Sequence, residues 1–114
     1  MVGSAASESI TGSDFFDIIA GRGGADTIDG GGGGDLICGG AGNDTVSGGD
    51  GADKVLGGPG NDTLRGNDGQ DDLRGAGGKD KLFGGANFDT CDGGPHPPGF
   101  PDSAAGCEVV TGIP

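Results

Sequence analysis

A nine-residue repeat runs through residues 12–92 without insertion or deletion. In all nine copies position 1 is glycine and position 6 is aspartate, while position 8 is isoleucine, valine or leucine until Cys91 takes that place in the last copy. A disordered glycine-rich tract has no reason to fix an aspartate and an aliphatic residue at every ninth position. The pattern therefore predicts a folded array in which each copy is one structural unit that packs on its neighbours.

The recurring columns of the repeat suit three different tasks. Glycine, which dominates positions 1, 2 and 4, permits positive φ and lets backbone carbonyls converge on one point. The carboxylate at position 6 is a hard oxygen donor of the kind that binds calcium. The aliphatic residue at position 8 favours a short strand with one buried side chain, so positions 7 and 9 point outward. Each copy is thus predicted to combine a loop with a strand.

The composition of the chain is too polar and too acidic for a domain that folds unaided. Glycine makes up 31 of its 114 residues, hydrophobic residues make up 31%, and the formal net charge is −12. A chain of low hydrophobicity and high net charge buries too little apolar surface to offset the entropy lost on folding. Divalent cations would neutralise the aspartates and cross-link the turns, so the sequence favours disorder without cations and folding with them.

Other classes of function are disfavoured by the composition. Six lysine and arginine residues, without a basic stripe, argue against nucleic-acid binding. No apolar run approaches the roughly 18 residues of a membrane-spanning helix, so we expect no membrane insertion. His96 is the only histidine and lies in a proline-rich segment, so no nucleophile–base pair can be assembled and no enzymatic activity is expected. Residues 1–11 lack the charged and apolar regions of a signal peptide.

The consensus G-G-x-G-x-D-x-U-x, in which U is aliphatic, resembles the RTX (hemolysin-type) calcium-binding nonapeptide repeat over about 81 of the 114 residues. The resemblance implies an all-β fold, a right-handed parallel β-roll (a β-solenoid) with two nonapeptide repeats per turn and N- and C-terminal caps. It also implies a secreted, extracellular protein that binds calcium ions, folds on reaching a calcium-rich environment, and acts as a non-catalytic structural or stabilising module. The alternative is an adhesion or partner-docking module that uses the surface of the same roll.

The resemblance implies a ligand set for calcium as well. In the family each ion lies between neighbouring stacked loops and binds both position-6 carboxylates together with carbonyls of positions 1 to 4. One edge of the roll would stack Asp17, Asp35, Asp53, Asp71 and Asp89, and the other edge Asp26, Asp44, Asp62 and Asp80. The predicted carbonyl ligands belong to Gly30, Gly31, Gly33, Gly39, Gly40, Gly42, Gly48, Gly49, Gly51, Gly57, Gly58, Gly60, Gly69 and Gly78.

Four gaps on one edge and three on the other predict about seven calcium sites. The sites near the ends of the array are expected to be weaker, because loops there replace glycine at position 2 or 4. The residues that depart from the pattern are Ser13, Phe15, Arg22, Asn67, Ala76 and Asn87.

The chain is predicted to divide into three parts. Residues 1–11 keep the frame, with Glu8 at position 6 and Ile10 at position 8, and are interpreted as a decayed repeat that caps the nine-repeat roll of residues 12–92. The frame breaks after Asp92, so residues 93–114 are interpreted as a C-terminal cap. Three phenylalanines in the terminal loops are expected to cover the ends of the core or to replace a weak calcium loop by packing: Phe15, Phe16 and Phe88.

Two further predictions concern cysteines and outward-facing side chains. A Cys91–Cys107 disulfide would join the last repeat to the C-terminal cap, the alternative being two buried free thiols. An apolar patch is predicted on one sheet face, formed by Ile18, Leu36, Cys38 and Leu56. The patch is either a docking or self-association surface or a set of tolerated residues partly covered by residues 1–11. On the other face a threonine column resembles those of ice-binding solenoids, but the neighbouring column is irregular and charged: Asp29, Ser47 and Arg65.

Overall fold

The computed structural model describes residues 2–87, 89–93, 103–105 and 109–111. Within these ranges the chain forms three-residue strands and no helix. The strands are β1 (Ser9–Thr11), β2 (Ile18–Ala20), β3 (Thr27–Asp29), β4 (Leu36–Cys38), β5 (Thr45–Ser47), β6 (Lys54–Leu56), β7 (Thr63–Arg65), β8 (Asp72–Arg74), β9 (Lys81–Phe83), β10 (Thr90–Asp92), β11 (Ser103–Ala105) and β12 (Val109–Thr111). In the described part of the chain, nothing is suited to cross a membrane as a helix.

Alternate strands pair to give two parallel sheets of six strands each. The β1 sheet has the order β1-β3-β5-β7-β9-β11, and the β2 sheet has the order β2-β4-β6-β8-β10-β12. Within the repeats the register joins residues 18 positions apart, as in Thr27 with Thr45 and Leu36 with Lys54. One turn therefore contains two nonapeptide repeats, and about five turns stack into a β-solenoid. The predicted all-β parallel roll is confirmed.

The core is a double row of position-8 side chains between the two sheets. All nine are at most 2% exposed: Ile19, Ile28, Ile37, Val46, Val55, Leu64, Leu73, Leu82 and Cys91. Each strand from β2 to β10 buries its central residue and turns its first and third side chains outward, since side chains alternate along a strand. One apolar residue per repeat is therefore enough to form a continuous core.

Both sheets continue beyond the nine regular repeats. At the N-terminal end β1 pairs with β3, Val2 forms a bridge with Ala20, and Ile10 packs against the core. At the other end Ser103 pairs with Lys81 and Val109 pairs with Thr90. The spacing between partners rises from 18 residues to 22 and 19 there, so the break in the frame lengthens the connections while both sheets continue.

The two N-terminal phenylalanines do not cover the core. Phe15 and Phe16 are 79% and 66% exposed, so the prediction that they cover its N-terminal end is wrong. They occupy a loop at the edge of the roll, which points away from the space between the sheets. Ile10 packs against the core at that end instead. Phe88 lies outside the described residues.

Candidate metal centre in the stacked loops

The position-6 aspartates stack in two columns along the edges of the roll. Each aspartate from Asp17 to Asp71 donates its backbone N–H to Oδ1 of the aspartate one turn later, as from Asp26 to Asp44 at 2.8 Å and from Asp53 to Asp71 at 2.9 Å. We call the column of Asp17, Asp35, Asp53, Asp71 and Asp89 the Asp53 edge, and the column of Asp26, Asp44, Asp62 and Asp80 the Asp62 edge. Apart from the half-buried Asp17, all of these side chains are at most 3% exposed.

The second carboxylate oxygen of six of these aspartates is buried without a donor. Oδ2 is inaccessible to solvent and accepts no hydrogen bond in Asp26, Asp35, Asp44, Asp53, Asp62 and Asp71. Removing a carboxylate from water costs several kcal/mol unless a proton, a donor or a cation compensates it. Each of these six loops therefore holds an oxygen whose charge the protein itself does not balance.

The position-1 glycines show where this oxygen points. A Cβ built on Gly21 would lie 2.6 Å from Asp26 Oδ2 and 2.6 Å from the carbonyl oxygen of Gly39, one turn later. The same two distances, 2.6 Å each, hold at Gly30 for Asp35 Oδ2 and the Gly48 carbonyl. A carboxylate and a carbonyl oxygen thus approach the same point between stacked loops, and any side chain at position 1 would fill that space.

Among the described residues, positive φ is confined to positions 2 and 4 of the loops. Glycine at position 1 does not use the positive φ that it would permit and is required there for space. Four residues other than glycine adopt the left-handed conformation, with φ of 73°, 71°, 66° and 72°: Arg22, Asn67, Ala76 and Asn87. Such a conformation costs about 1–3 kcal/mol for each residue. These loops keep the positive φ of the all-glycine loops at positions 2 and 4. The departures from consensus therefore do not alter the backbone conformation of the loops at these positions.

Burial raises the pKa of the central aspartates. The pKa of Asp53 and that of Asp62 rise to about 7, and the pKa of Asp71 rises to about 6. Burial is the main cause, and the carboxylates stacked above and below raise the pKa further, whereas the N–H donated by the preceding loop lowers it. Burial also raises the pKa of Asp35 and Asp44. Near neutral pH Asp53 and Asp62 therefore retain part of their protons unless a cation replaces them.

The donor set restricts which cation could bind. No three histidine, cysteine, aspartate or glutamate side chains come together in the described ranges. A cation between two loops would therefore take carboxylate oxygens from two stacked aspartates and complete its shell with backbone carbonyls. An all-oxygen set of this kind fits calcium, whereas zinc prefers nitrogen and sulfur ligands. The residues present fit the predicted ion.

Two N-terminal loops differ from the rest in their hydrogen bonds, which their departures from the consensus did not predict. In the loop that begins at Gly12, Ser13 donates its N–H to Asp17 Oδ2 at 2.6 Å, and its hydroxyl lies 3.0 Å from the same oxygen. In the loop that begins at Gly3, Ser4 donates its N–H to Glu8 Oε1. The signal in the sequence was the Gly-Ser pair that opens both loops.

The remaining predicted residues lie away from the loops. Cys91 is buried and disulfide-bonded, and Cys38 carries a free, half-buried thiol. Cys107, the predicted partner of Cys91, lies outside the described residues. In the predicted patch Ile18, Leu36 and Leu56 are 59%, 39% and 41% exposed. A groove of about 290 Å³ on this face is lined by Leu36, Lys54, Val55, Leu56, Asp72 and Arg74.

Comparison with known proteins agrees with this geometry. The family model described as the RTX calcium-binding nonapeptide repeat (4 copies) matches residues 2–37, 33–64 and 56–91. Searches of curated proteins and of solved structures returned no match. The three matched segments together span residues 2–91, which is most of the 114-residue chain. The chain therefore belongs to the RTX calcium-binding nonapeptide repeat family, whose repeat loops bind calcium.

Proposed function

We propose that this chain is a secreted calcium-binding module that folds when it meets calcium outside the cell and then serves as a non-catalytic structural domain. The observation that carries the proposal is the row of buried Oδ2 atoms without donors. Extracellular calcium is millimolar and would fill such sites, whereas a calcium-poor cytosol would leave the aspartates without a counter-ion and the chain unfolded. The family relationship and the acidic, glycine-rich composition support the same conclusion.

We assign the ions to the gaps between stacked loops. The proposed ligands are the position-6 carboxylates and the carbonyls of the loop glycines. Among these carbonyls, those of Gly39 and Gly48 approach the same point as an aspartate Oδ2 atom. Because each internal aspartate serves the gaps on both sides of its loop, calcium binding and folding are expected to be cooperative. Bound ions would supply the charge neutralisation and the cross-links that the small core cannot provide.

A calcium titration of the calcium-stripped chain tests this function. Circular dichroism should report a cooperative gain of β structure at millimolar calcium, and calorimetry should report several ions per chain. Asp53→Asn should lose calcium and fold at higher calcium concentration. Asp50→Asn is the matched control, since it removes the same charge from an exposed residue of the same loop. An unchanged spectrum on calcium addition, or equal effects of the two substitutions, would contradict the proposal.

A second function is supported by the apolar patch of the β2 sheet. Leu36 and Leu56 are exposed beside the groove, and Lys54 and the Arg74–Asp72 ion pair (3.3 Å) lie next to them. Contiguous apolar surface bordered by charges often marks a protein contact. We propose that this face docks a protein partner or a second copy of the chain.

Paired substitutions on the two faces of the roll test the docking role. Leu36→Lys with Leu56→Lys should abolish dimerisation or partner contact and leave calcium binding unchanged. Thr27→Lys with Thr45→Lys, on the outward face of the β1 sheet, is the matched control and should change neither. Sedimentation of the calcium-loaded proteins measures the oligomeric state. A strictly monomeric wild type that also binds no partner would refute this second function.

A further inference from the structure

The loops of the roll fall into two backbone classes. The eight loops that begin at residues 21 to 84 all have positive φ at positions 2 and 4. The two loops that begin at Gly3 and Gly12 have positive φ at neither position. Both of these loops carry serine at position 2, namely Ser4 and Ser13. Since two nonapeptide repeats make one turn, the two exceptional loops are the two edges of a single turn.

In both exceptional loops the serine closes the turn in the same way. Its hydroxyl oxygen accepts the N–H of position 4, at 3.2 Å from Ala6 to Ser4 and at 3.2 Å from Phe15 to Ser13. Its own N–H donates to the carboxylate at position 6, as described above. The carboxylates of Glu8 and Asp17 are thus partnered within their own loops.

The serine N–H reaches the oxygen that corresponds to Oδ2 of Asp26, which has no donor in its own loop. A Cβ built on Gly3 would lie 2.5 Å from Glu8 Oε1 and 2.5 Å from the Gly21 carbonyl. This is the arrangement that Gly21 makes with Asp26 Oδ2 and the carbonyl one turn later. In the left-handed loops the residue at position 2 makes no such hydrogen bond, and Oδ2 of Asp26 stays without a partner.

We propose that Ser4 and Ser13 substitute for calcium in the first turn, so that ions occupy only the gaps between two left-handed loops. This inference rests on the proposed calcium function and specifies which loops perform it. The left-handed loops give three gaps on the Asp53 edge and three on the Asp62 edge, hence six sites in the described repeats. The seventh predicted site, between Asp17 and Asp35, is replaced by a metal-independent turn that covers the first ions.

A variant that restores the family consensus to one exceptional loop tests the role of serine. Ser13→Gly with Phe15→Gly introduces glycine at positions 2 and 4, and equilibrium dialysis at saturating calcium should then count one more ion per chain than in wild type. Adding Asp17→Asn to this variant should remove the gained ion. Ser13→Ala is the matched control, because it keeps the N–H donor and the ordinary backbone, and its ion count should equal that of wild type.

Two results would overturn the proposal: an unchanged count in the double glycine variant, or an increased count in Ser13→Ala. Anomalous diffraction from lanthanide-loaded wild type gives an answer even if the variants fold poorly. Peaks are expected between Asp35 and Asp53 and between Asp26 and Asp44, and none between Asp17 and Asp35. A peak in that last gap would also overturn the proposal. A wild-type chain that binds no ion at all would instead refute the calcium function itself.

Discussion

Acidification should promote folding of the calcium-free chain, in contrast to the acid denaturation of most proteins. Without calcium, only protons can neutralise the buried carboxylates of Asp53, Asp62 and Asp71. Their pKa values rise from 3.8 to about 7, about 7 and about 6 in the folded state. Because the folded-state pKa is the higher one, this contribution to stability is complete below pH 3.8 and is lost as the pH rises through 6 to 7.

The size of the effect follows from the shifts. One pKa unit corresponds to about 1.4 kcal/mol, so a rise from 3.8 to about 7 destabilises the folded, metal-free state by about 4 kcal/mol per aspartate above pH 7. The contributions within one edge are not additive, since each charged neighbour raises the pKa of the next. Small domains are stable by only about 5–15 kcal/mol in total, so two such aspartates suffice to unfold a chain this polar. Calcium replaces the protons, so its binding should release protons near neutral pH.

Circular dichroism of chain stripped of calcium on a chelating resin measures the effect directly. The β signal should grow as the pH falls from about 8 to about 5. Asp53→Asn, which is neutral at every pH, should give a shallower pH response and a more folded metal-free state at about pH 8, although it binds calcium more weakly. Asp50→Asn should behave as wild type. A β signal that is constant or decreases on acidification, or calcium binding heats that do not depend on the ionisation enthalpy of the buffer, would refute the reasoning.

Three further predictions concern packing and covalent structure. Gly30→Ala should destabilise the calcium-loaded roll by about 2 kcal/mol or more, because its Cβ would meet two oxygens at 2.6 Å, whereas Gly77→Ala, with no atom within 4 Å of its Cβ, should leave the melting temperature unchanged. Leu64→Ala, at a side chain that is 0% exposed, should lower the free energy of unfolding measured in denaturant titrations by about 2–5 kcal/mol. Because calcium binding is coupled to folding, the same substitution should reduce the calcium affinity. Reduction of a Cys91–Cys107 disulfide should cost about 3 kcal/mol, and non-reduced peptide mapping that pairs either residue with the third cysteine would contradict that assignment.

The regular part of the fold could be predicted from the sequence because every repeat has the same pattern of residues. A single aliphatic residue at position 8 leaves one inward side chain per strand, so Ile37 and Val55 must lie in register one turn apart. A one-residue slip would expose the core row and bury charged residues such as Lys54. The aspartate columns follow from the same register. The residue at position 8 therefore determines both the register of the strands and the composition of the core.

The details of the loops could not be predicted, because they depend on contacts between turns. Glycine at position 1 is consistent with either positive φ or close approach, and only the position of the Gly39 carbonyl beside Gly21 distinguishes them. The hydrogen bonds of Ser13 depend on the backbone conformation at position 2. Arg22 adopts the left-handed conformation at that position in spite of its side chain, whereas Ser13 does not. Phe15 is exposed because it lies in a loop at the edge of the roll, and Ile10 packs against the core instead.

The hydrogen bonds between stacked aspartates all run in one direction. Each N–H at position 6 finds its acceptor on the turn that follows in sequence, from Glu8 to Asp26 and onward to Asp71 and Asp89. A folded turn thus presents its carboxylate acceptors only to the turn that precedes it in sequence, whereas backbone carbonyls accept from both neighbouring turns, as Cys38 does from Gly21 and Asp17 does from Leu36. Folding is expected to begin at the C-terminal turns and to proceed turn by turn toward the N-terminus. Pulse-labelled hydrogen exchange during calcium-induced folding would then show protection at Asp71 before Asp26.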